Sequence, residues 1–399
     1  MTDNLDDLAI NKLRDYIRIK SVHPNINYDE CISYLRGYAN DLGLQVQVYE
    51  VVPKKPVLVM TWEGLEPELP SILLNSHMDV VPVFEESWTY NPFEARIVDG
   101  VIYGRGVQDM KSVAIIYLEA VRRLKNRGIR LKRTIHLSFV PGKYEEKGGV
   151  LGMKTFVTSE HYNKLNVGFA FDEGLASPDD SFVIYNGERT IWHLKVICPG
   201  MSGHGSLLLP DNCGEKLRYM IDKFMDLRNE SKKKLENDPE LTIGDVTSVN
   251  LTMISGGIQN NVIPENFTAS FDLRLALSVN FVDFENTIKQ WCEEAGSGVT
   301  YEFEQKDLYV PPTKVDDSNP YWVAFKEALD KMNIPTKVRT FPGGTDSRFI
   351  RLKGTLALGV TPLRYTRPGI HEHNENIKTS AFIEGITVYE AVIQNVANV

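Results

Sequence analysis

Leu8, Ile10, Leu13 and Ile17 fall near helical spacing at the start of the chain, with Thr2, Asp3 and Asn4 available as caps. The pattern predicts an amphipathic opening helix. Strand-like apolar runs follow at 44–52, 57–62 and 71–75, then at 134–140, 167–171 and 181–185. Between them, 110–124 carries Val113, Ile116, Ala120, Val121 and Leu124 on one helical face, which puts Asp109 at a strand-to-helix junction. Functional side chains gather at such junctions in open α/β sheets.

The pattern changes near Arg189. From there to about residue 303 the order is strand (192–198), helix (214–235), strand (248–254), strand (268–275) and helix (282–295). That order resembles an inserted α+β unit of the split-βαβ, ferredoxin-like kind. Helix and strand signals resume at 321–332 and 355–360, and the chain ends in a helix over 380–396. The expected architecture is an α/β catalytic domain made of 1–188 and 304–399, interrupted by a second domain at 189–303.

Composition agrees with two domains, since 399 residues with 42% apolar content exceed one ordinary core. The four cysteines show no C-x-x-C spacing, and the first residues are acidic rather than basic and then apolar. Reduced thiols and a cytosolic location are expected. No apolar run approaches the roughly 18 residues of a membrane span. A net charge of −9 repels phosphate backbones, and the basic run 232–234 is followed by Glu236 and Asp238. Nucleic acid is therefore not an expected partner.

The candidate chemistry lies where strands run out. His77 leaves an apolar strand with Asp79 two positions on, the spacing of a histidine ligand and a carboxylate able to hold it. Asp109 follows Gly104-Arg105-Gly106-Val107-Gln108, which lacks the third glycine of a dinucleotide fingerprint. As an isolated residue, Asp109 could equally be a helix cap. Glu145 and Glu146 stand on the turn after the strand at 135–140 and precede Lys147-Gly148-Gly149, where the backbone can bend sharply. One carboxylate of such a pair can bind a metal while its neighbour handles a proton, the division of labour in metal-assisted hydrolysis. Asp172-Glu173-Gly174 ends another apolar strand, and His371-Glu372-His373-Asn374-Glu375 supplies late histidines.

Taken together, Ser76-His77-Met78-Asp79-Val80-Val81-Pro82, Gly104-Arg105-Gly106-Val107-Gln108-Asp109-Met110-Lys111, Asp172-Glu173-Gly174 and Asn261-Val262-Ile263-Pro264 closely resemble the motifs of a zinc-dependent amidohydrolase and exopeptidase family. That family includes aminoacylases, acetylornithine deacetylase and glutamate carboxypeptidase, and the likeness runs from about residue 8 to 396. It implies a phosphorylase/hydrolase-like catalytic domain with a mixed sheet, helices on both faces, and an inserted lid and dimerisation domain. It also implies two zinc ions bridged by Asp109, with His77 and Glu173 completing one site and Glu146 and His371 the other. Glu145 would be the general base, taking a proton from the attacking water and returning it to the leaving amine. Asp79 would orient His77. His204, in Gly200-Met201-Ser202-Gly203-His204, matches a histidine that steadies the oxyanion from across a homodimer. Asn261 and Arg274 match residues that hold the substrate carboxylate, for which a guanidinium fork is well shaped. The loop with Gly344 and Thr345 would help at the same end. A surface histidine and a strand-face salt bridge are the structural alternatives for His204 and Arg274.

The resemblance implies hydrolysis of an N-acyl-L-amino acid to a carboxylate and a free amino acid. The chain departs from the aminoacylase pattern at one place. Aminoacylases read Val-Pro-Asp-Glu-Glu-x-Gly-Gly at the catalytic turn, and here two more residues are present, in Val140-Pro141-Gly142-Lys143-Tyr144-Glu145-Glu146-Lys147-Gly148-Gly149. Counting back from the glycines keeps both glutamates in register. The alternatives left open are a dipeptidase of the same fold and a weakly active or non-catalytic zinc-binding relative.

Overall fold

Most of the apolar runs become two main sheets, of eight and four strands, beside a three-stranded and a two-stranded one. The structure, a computed structural model, describes residues 2–144 and 148–399. In chain order it opens with α1 (Thr2–Arg18), α2 (Asp29–Leu42), β1 (Gln45–Val52), β2 (Lys55–Trp62), β3 (Ser71–His77), α3 (Lys111–Asn126), β4 (Ile135–Val140), β5 (Val167–Asp172) and β6 (Phe182–Glu188). Then come β7 (Thr190–Pro199), α4 (Cys213–Asn237), β8 (Ser248–Ser255), β9 (Asn266–Leu275), α5 (Phe281–Ala295) and β10 (Thr300–Lys306). The chain closes with α6 (Pro320–Lys331), β11 (Thr336–Phe341), β12 (Leu356–Val360) and α7 (Thr379–Val396).

The first unit comprises 1–186, 313–338 and 345–399, and the second 187–312 with 339–344. Against the expected 188/189 and 303/304, the segment 339–344 joins the second unit, the first cut falls at 186/187, and the later one falls at 312/313. The later one moves because β10 runs on to Lys306 and pairs antiparallel with β7 along its length. That strand had not been expected from the sequence, although Tyr301 and Phe303 alternate with Glu302 and Glu304.

In the first unit, the eight-stranded sheet has the order β1-β2-β4-β3-β5-β12-β6-β11. Its centre is parallel, β3 running with β4 and β5 and β12 with β5, while β1 and β2 form an antiparallel margin. A sheet with a parallel centre needs cover on both faces, and its strands read as unbroken apolar runs. Every residue of β3 is buried accordingly. Ile72 and Leu74 face a core shared with α1, α3 and α7, where Val113, Ile116, Ala120 and Tyr389 are buried. Leu73, between them, points the other way into a smaller cluster with Val140, Phe156 and Ile350. Because β4 and β5 both run parallel to β3, the C-terminal ends of the three strands lie together at one margin.

The second unit is a four-stranded antiparallel sheet of order β8-β9-β7-β10. Leu194, Val196 and Cys198 of β7 and Phe271 and Leu273 of β9 meet Met220 and Phe224 of α4 and Ile288 of α5. The four cysteines are buried and free. Among the described residues, no helix is long and apolar enough to cross a membrane.

Candidate metal centre

His77 is the last residue of β3, Asp172 the last of β5, and Asp109 precedes α3. These positions follow from the crossover geometry, because loops leaving parallel strands emerge at one end of the sheet. Ligand atoms of His77, Asp109 and Glu173 lie within 4.8 Å of one another, and all three residues are buried. His77 Nε2 is 3.0 Å from Asp109 Oδ1 and 3.1 Å from Glu173 Oε2. Burial pushes the His77 pKa down, but Glu173 and Asp109 outdo it and leave it well above the usual histidine range. Burial raises the Asp109 carboxyl, and hydrogen bonds from His371 and His77 reverse this, holding it well below the usual range.

The ring of His77 is oriented by its neighbour through an unexpected group. Its Nδ1 donates to the main-chain carbonyl of Asp79 at 2.9 Å. The Asp79 carboxylate instead faces His23 Nε2 at 2.7 Å and accepts from the Tyr144 amide at 2.9 Å. The expected pairing of the Asp79 carboxylate with His77 is thus replaced by a backbone contact, since the turn after β3 carries that carboxylate away from the ring. His371 brings Nε2 to 3.2 Å from Asp109 Oδ2 and is about half exposed. Its φ of 64° lies in the left-handed region, and its carbonyl accepts from Arg105 at 3.3 Å. Glu145 and Glu146, the expected base and ligand, lie outside the described residues.

Four contributors had no partner assigned to them by the sequence reading. Glu375 accepts from the amides of Gln108 at 2.6 Å, Asp109 at 3.2 Å and Gly106 at 3.1 Å, and from Arg105 at 2.7 Å. It therefore fixes the loop that presents Asp109. His23 reaches Asp79 from a loop with no strand-end signal. Lys143 donates to Glu173 Oε1, and the Tyr144 hydroxyl donates to Asp109 Oδ2. Burial lowers the Lys143 amine, but Glu173, Asp346 and Asp172 more than offset it and keep the ammonium charged. Burial and Asp109 raise the Tyr144 phenol well above its ordinary range. The signal available for both was their place in the lengthened turn.

Asp172 ties the site to the sheet, accepting from Asn75 Nδ2 at 2.9 Å and from the Ser347 amide at 2.8 Å. Beside it, Thr345 is buried and the Asp346 carboxyl is pushed up to about 7, chiefly by burial. Lys111, though inside a site motif, is structural: its ammonium donates to the carbonyls of Tyr16 at 3.0 Å and Ile19 at 2.8 Å at the end of α1.

The remaining expected residues belong to the second unit. His204 is exposed on a two-residue strand that pairs with Val262, and the Gly205 amide donates to the Asn261 carbonyl at 2.7 Å. Arg274 makes a two-pronged salt bridge to Asp272 at 2.6 and 2.8 Å on the face of β9. Gly344 lies in the loop that returns to the first unit.

One imidazole and two carboxylates, buried and converging, form a donor set suited to zinc, and the second nitrogen of the histidine is held as such ligands require. The model of peptidase family M20/M25/M40 matches residues 73–395. The chain is 46% identical over 392 residues to aminoacylase-1 of Mus musculus, covering 98% of this chain and 96% of that one. It also shares the fold of an M20 family metallo-carboxypeptidase from Sulfolobus solfataricus, with a TM-score of 0.74, 18% identity, and 98% and 99% of the two chains covered. A dinuclear metal binding peptidase of the M20 family from Bacillus subtilis gives a TM-score of 0.68 at 16% identity, with 98% and 99% covered.

Proposed function

The chain belongs to peptidase family M20/M25/M40, and on that premise we propose that it is a metal-dependent amidohydrolase that converts N-acyl-L-amino acids and water to a carboxylate and a free L-amino acid. The observation that carries this reading is the end-to-end similarity to aminoacylase-1, at 46% identity over 98% of the chain.

In the proposed site His77, Asp109 and Glu173 would hold one zinc ion, and Asp109, Glu146 and His371 would hold a second. When bound, the metal supplies Lewis-acid polarisation of the water and the amide carbonyl. Glu145 takes the proton from the attacking water and delivers it to the departing nitrogen, so that the C–N bond breaks as the amine forms. Asp79 holds His23 and the Tyr144 amide, and its carbonyl aims the His77 ring; Glu375 holds the loop of Asp109. The substrate carboxylate is assigned to Asn261 and Arg274, with Gly344 and Thr345 beside it. Asp272 accepts from two nitrogens of the Arg274 fork.

The second unit is proposed as the lid and as the surface of a homodimer, in which His204 of the partner subunit steadies the oxyanion. Exposed Met253 and Ile254 on the edge strand β8 support this, because an unpaired apolar edge is a natural surface for association.

The reading is tested by amine release from a panel of N-acetyl-L-amino acids by purified, zinc-reconstituted protein, with a chelated aliquot and a dipeptide panel alongside. Zinc-dependent release from the N-acetyl panel is expected. Release confined to dipeptides, or none despite bound zinc, overturns it.

A further inference from the structure

The lengthened turn after β4 carries Lys143 as well as the two glutamates. It puts a positive charge inside the cluster that the donor set marks for a cation. Lys143 is 7% exposed. Its ammonium is bonded to one oxygen of Glu173, whose other oxygen lies 3.1 Å from His77 Nε2.

The placement is built rather than incidental. The Gly142 amide donates to the Tyr28 hydroxyl at 3.0 Å, and the Gly142 carbonyl accepts from the Gly149 amide at 3.0 Å, closing the turn. On the other side of Lys143, the Tyr144 amide is held by Asp79 at 2.9 Å. The Tyr144 ring then stands edge-on to both His77 and His371, with centroids 5.2 Å away in each case. Anchors therefore flank Lys143 in the sequence, and its side chain is committed to a ligand carboxylate. An ammonium so placed does part of what a metal ion does there, neutralising buried carboxylates that are costly to leave uncompensated. A divalent ion arriving at His77, Asp109 and Glu173 meets a like charge at short range in a weakly screened interior.

We propose that Lys143 is an internal cation of the centre that competes with metal for Glu173, so that the position formed by His77, Asp109 and Glu173 fills only when Lys143 leaves it. The inference rests on the metal-centre reading above, and adds a displaceable side chain as the determinant of metal affinity at one position.

The test is a zinc titration of the metal-stripped full-length protein against a chromophoric chelator, comparing wild type with Lys143→Met, which keeps a long side chain and removes the charge. Lys143→Met is expected to bind at least one zinc about tenfold or more tightly than wild type, and adding His77→Ala should abolish that gain. Equal or weaker binding by Lys143→Met overturns the competition while leaving the metal centre standing. Absence of zinc binding in both proteins overturns the metal-centre reading itself and the inference with it.

Should Lys143→Met fail to fold, the wild type supplies the second measurement. Amine acetylation mapped by mass spectrometry should find Lys143 protected in the metal-stripped protein and labelled in the zinc-loaded one. Protection in both states overturns the proposal.

Discussion

Asp109 sits where it does because Glu375 gathers the amides of Gly106, Gln108 and Asp109 and the guanidinium of Arg105 around one carboxylate. A buried acid with this many donors positions the loop. Groups that support metal ligands in this way typically change affinity or activity by 10–100-fold when altered. Glu375→Gln, which removes the charge opposite Arg105 and replaces one acceptor oxygen with a donor, is expected to lower both zinc affinity and kcat/KM within roughly that range. Chelator competition and steady-state amine release check it; unchanged zinc affinity would show that the loop holds Asp109 without Glu375. His77, Asp109 and Glu173, which converge, could be picked out in the sequence as metal-type residues near the ends of apolar elements, whereas His371 entered as a ligand only with the family resemblance. Glu375 was seen only as one acid in a cluster, and His23 was not seen at all. Their roles come from contacts across 266 and 56 positions, which no local pattern carries.

Among the elements, β4 shows how a sheet interior handles a titratable side chain. His136, on this central strand, is buried and hydrogen-bonds Thr61 Oγ1 of β2 through Nδ1 at 2.9 Å. Burial lowers its pKa from 6.5 to about 4, only partly countered by a backbone hydrogen bond with Leu165. In the unfolded chain this histidine takes up its proton near pH 6.5, whereas in the folded protein it does so only near 4. Between those values the unfolded state binds more protons, and stability falls as pH falls. The loss from this residue amounts to about 3 kcal/mol across that window. Urea unfolding at pH 6.5 and pH 4 should therefore show wild type losing more stability than His136→Gln, by about that amount. An equal loss in both proteins would sink the assignment. Many of the elements were readable, since α3, β3 and β9 match the segments expected for them to within about two residues at each end. The strand β10 was missed because its alternation is short and carries Glu302 and Glu304, and antiparallel pairing with β7 decides it.

At the scale of the molecule, two units each have their own core, and the active protein is proposed to be a homodimer whose sites take His204 from the partner subunit. Mixing His204→Ala with His77→Ala protein, after dissociation and reassociation, should restore activity that neither variant has alone. Random pairing makes about half the dimers mixed, each with one complete site, so roughly a quarter of wild-type kcat is expected. No recovery beyond the separate variants would mean that His204 serves its own subunit or does not act in the reaction. By itself the sequence determined the kind and order of most elements and which residue types stand at strand ends. Those depend on spacing along the chain, where side-chain direction is set by a period of two or 3.6. Only the tertiary structure decided that Lys143 binds Glu173, that the Asp79 carbonyl aims His77, and that Glu375 holds Asp109. These partners are brought together by the sheet order β4-β3-β5 and by the return of the chain after the second unit. The state of a buried charge depends on what packs around it, and that neighbourhood exists only once the strands are paired.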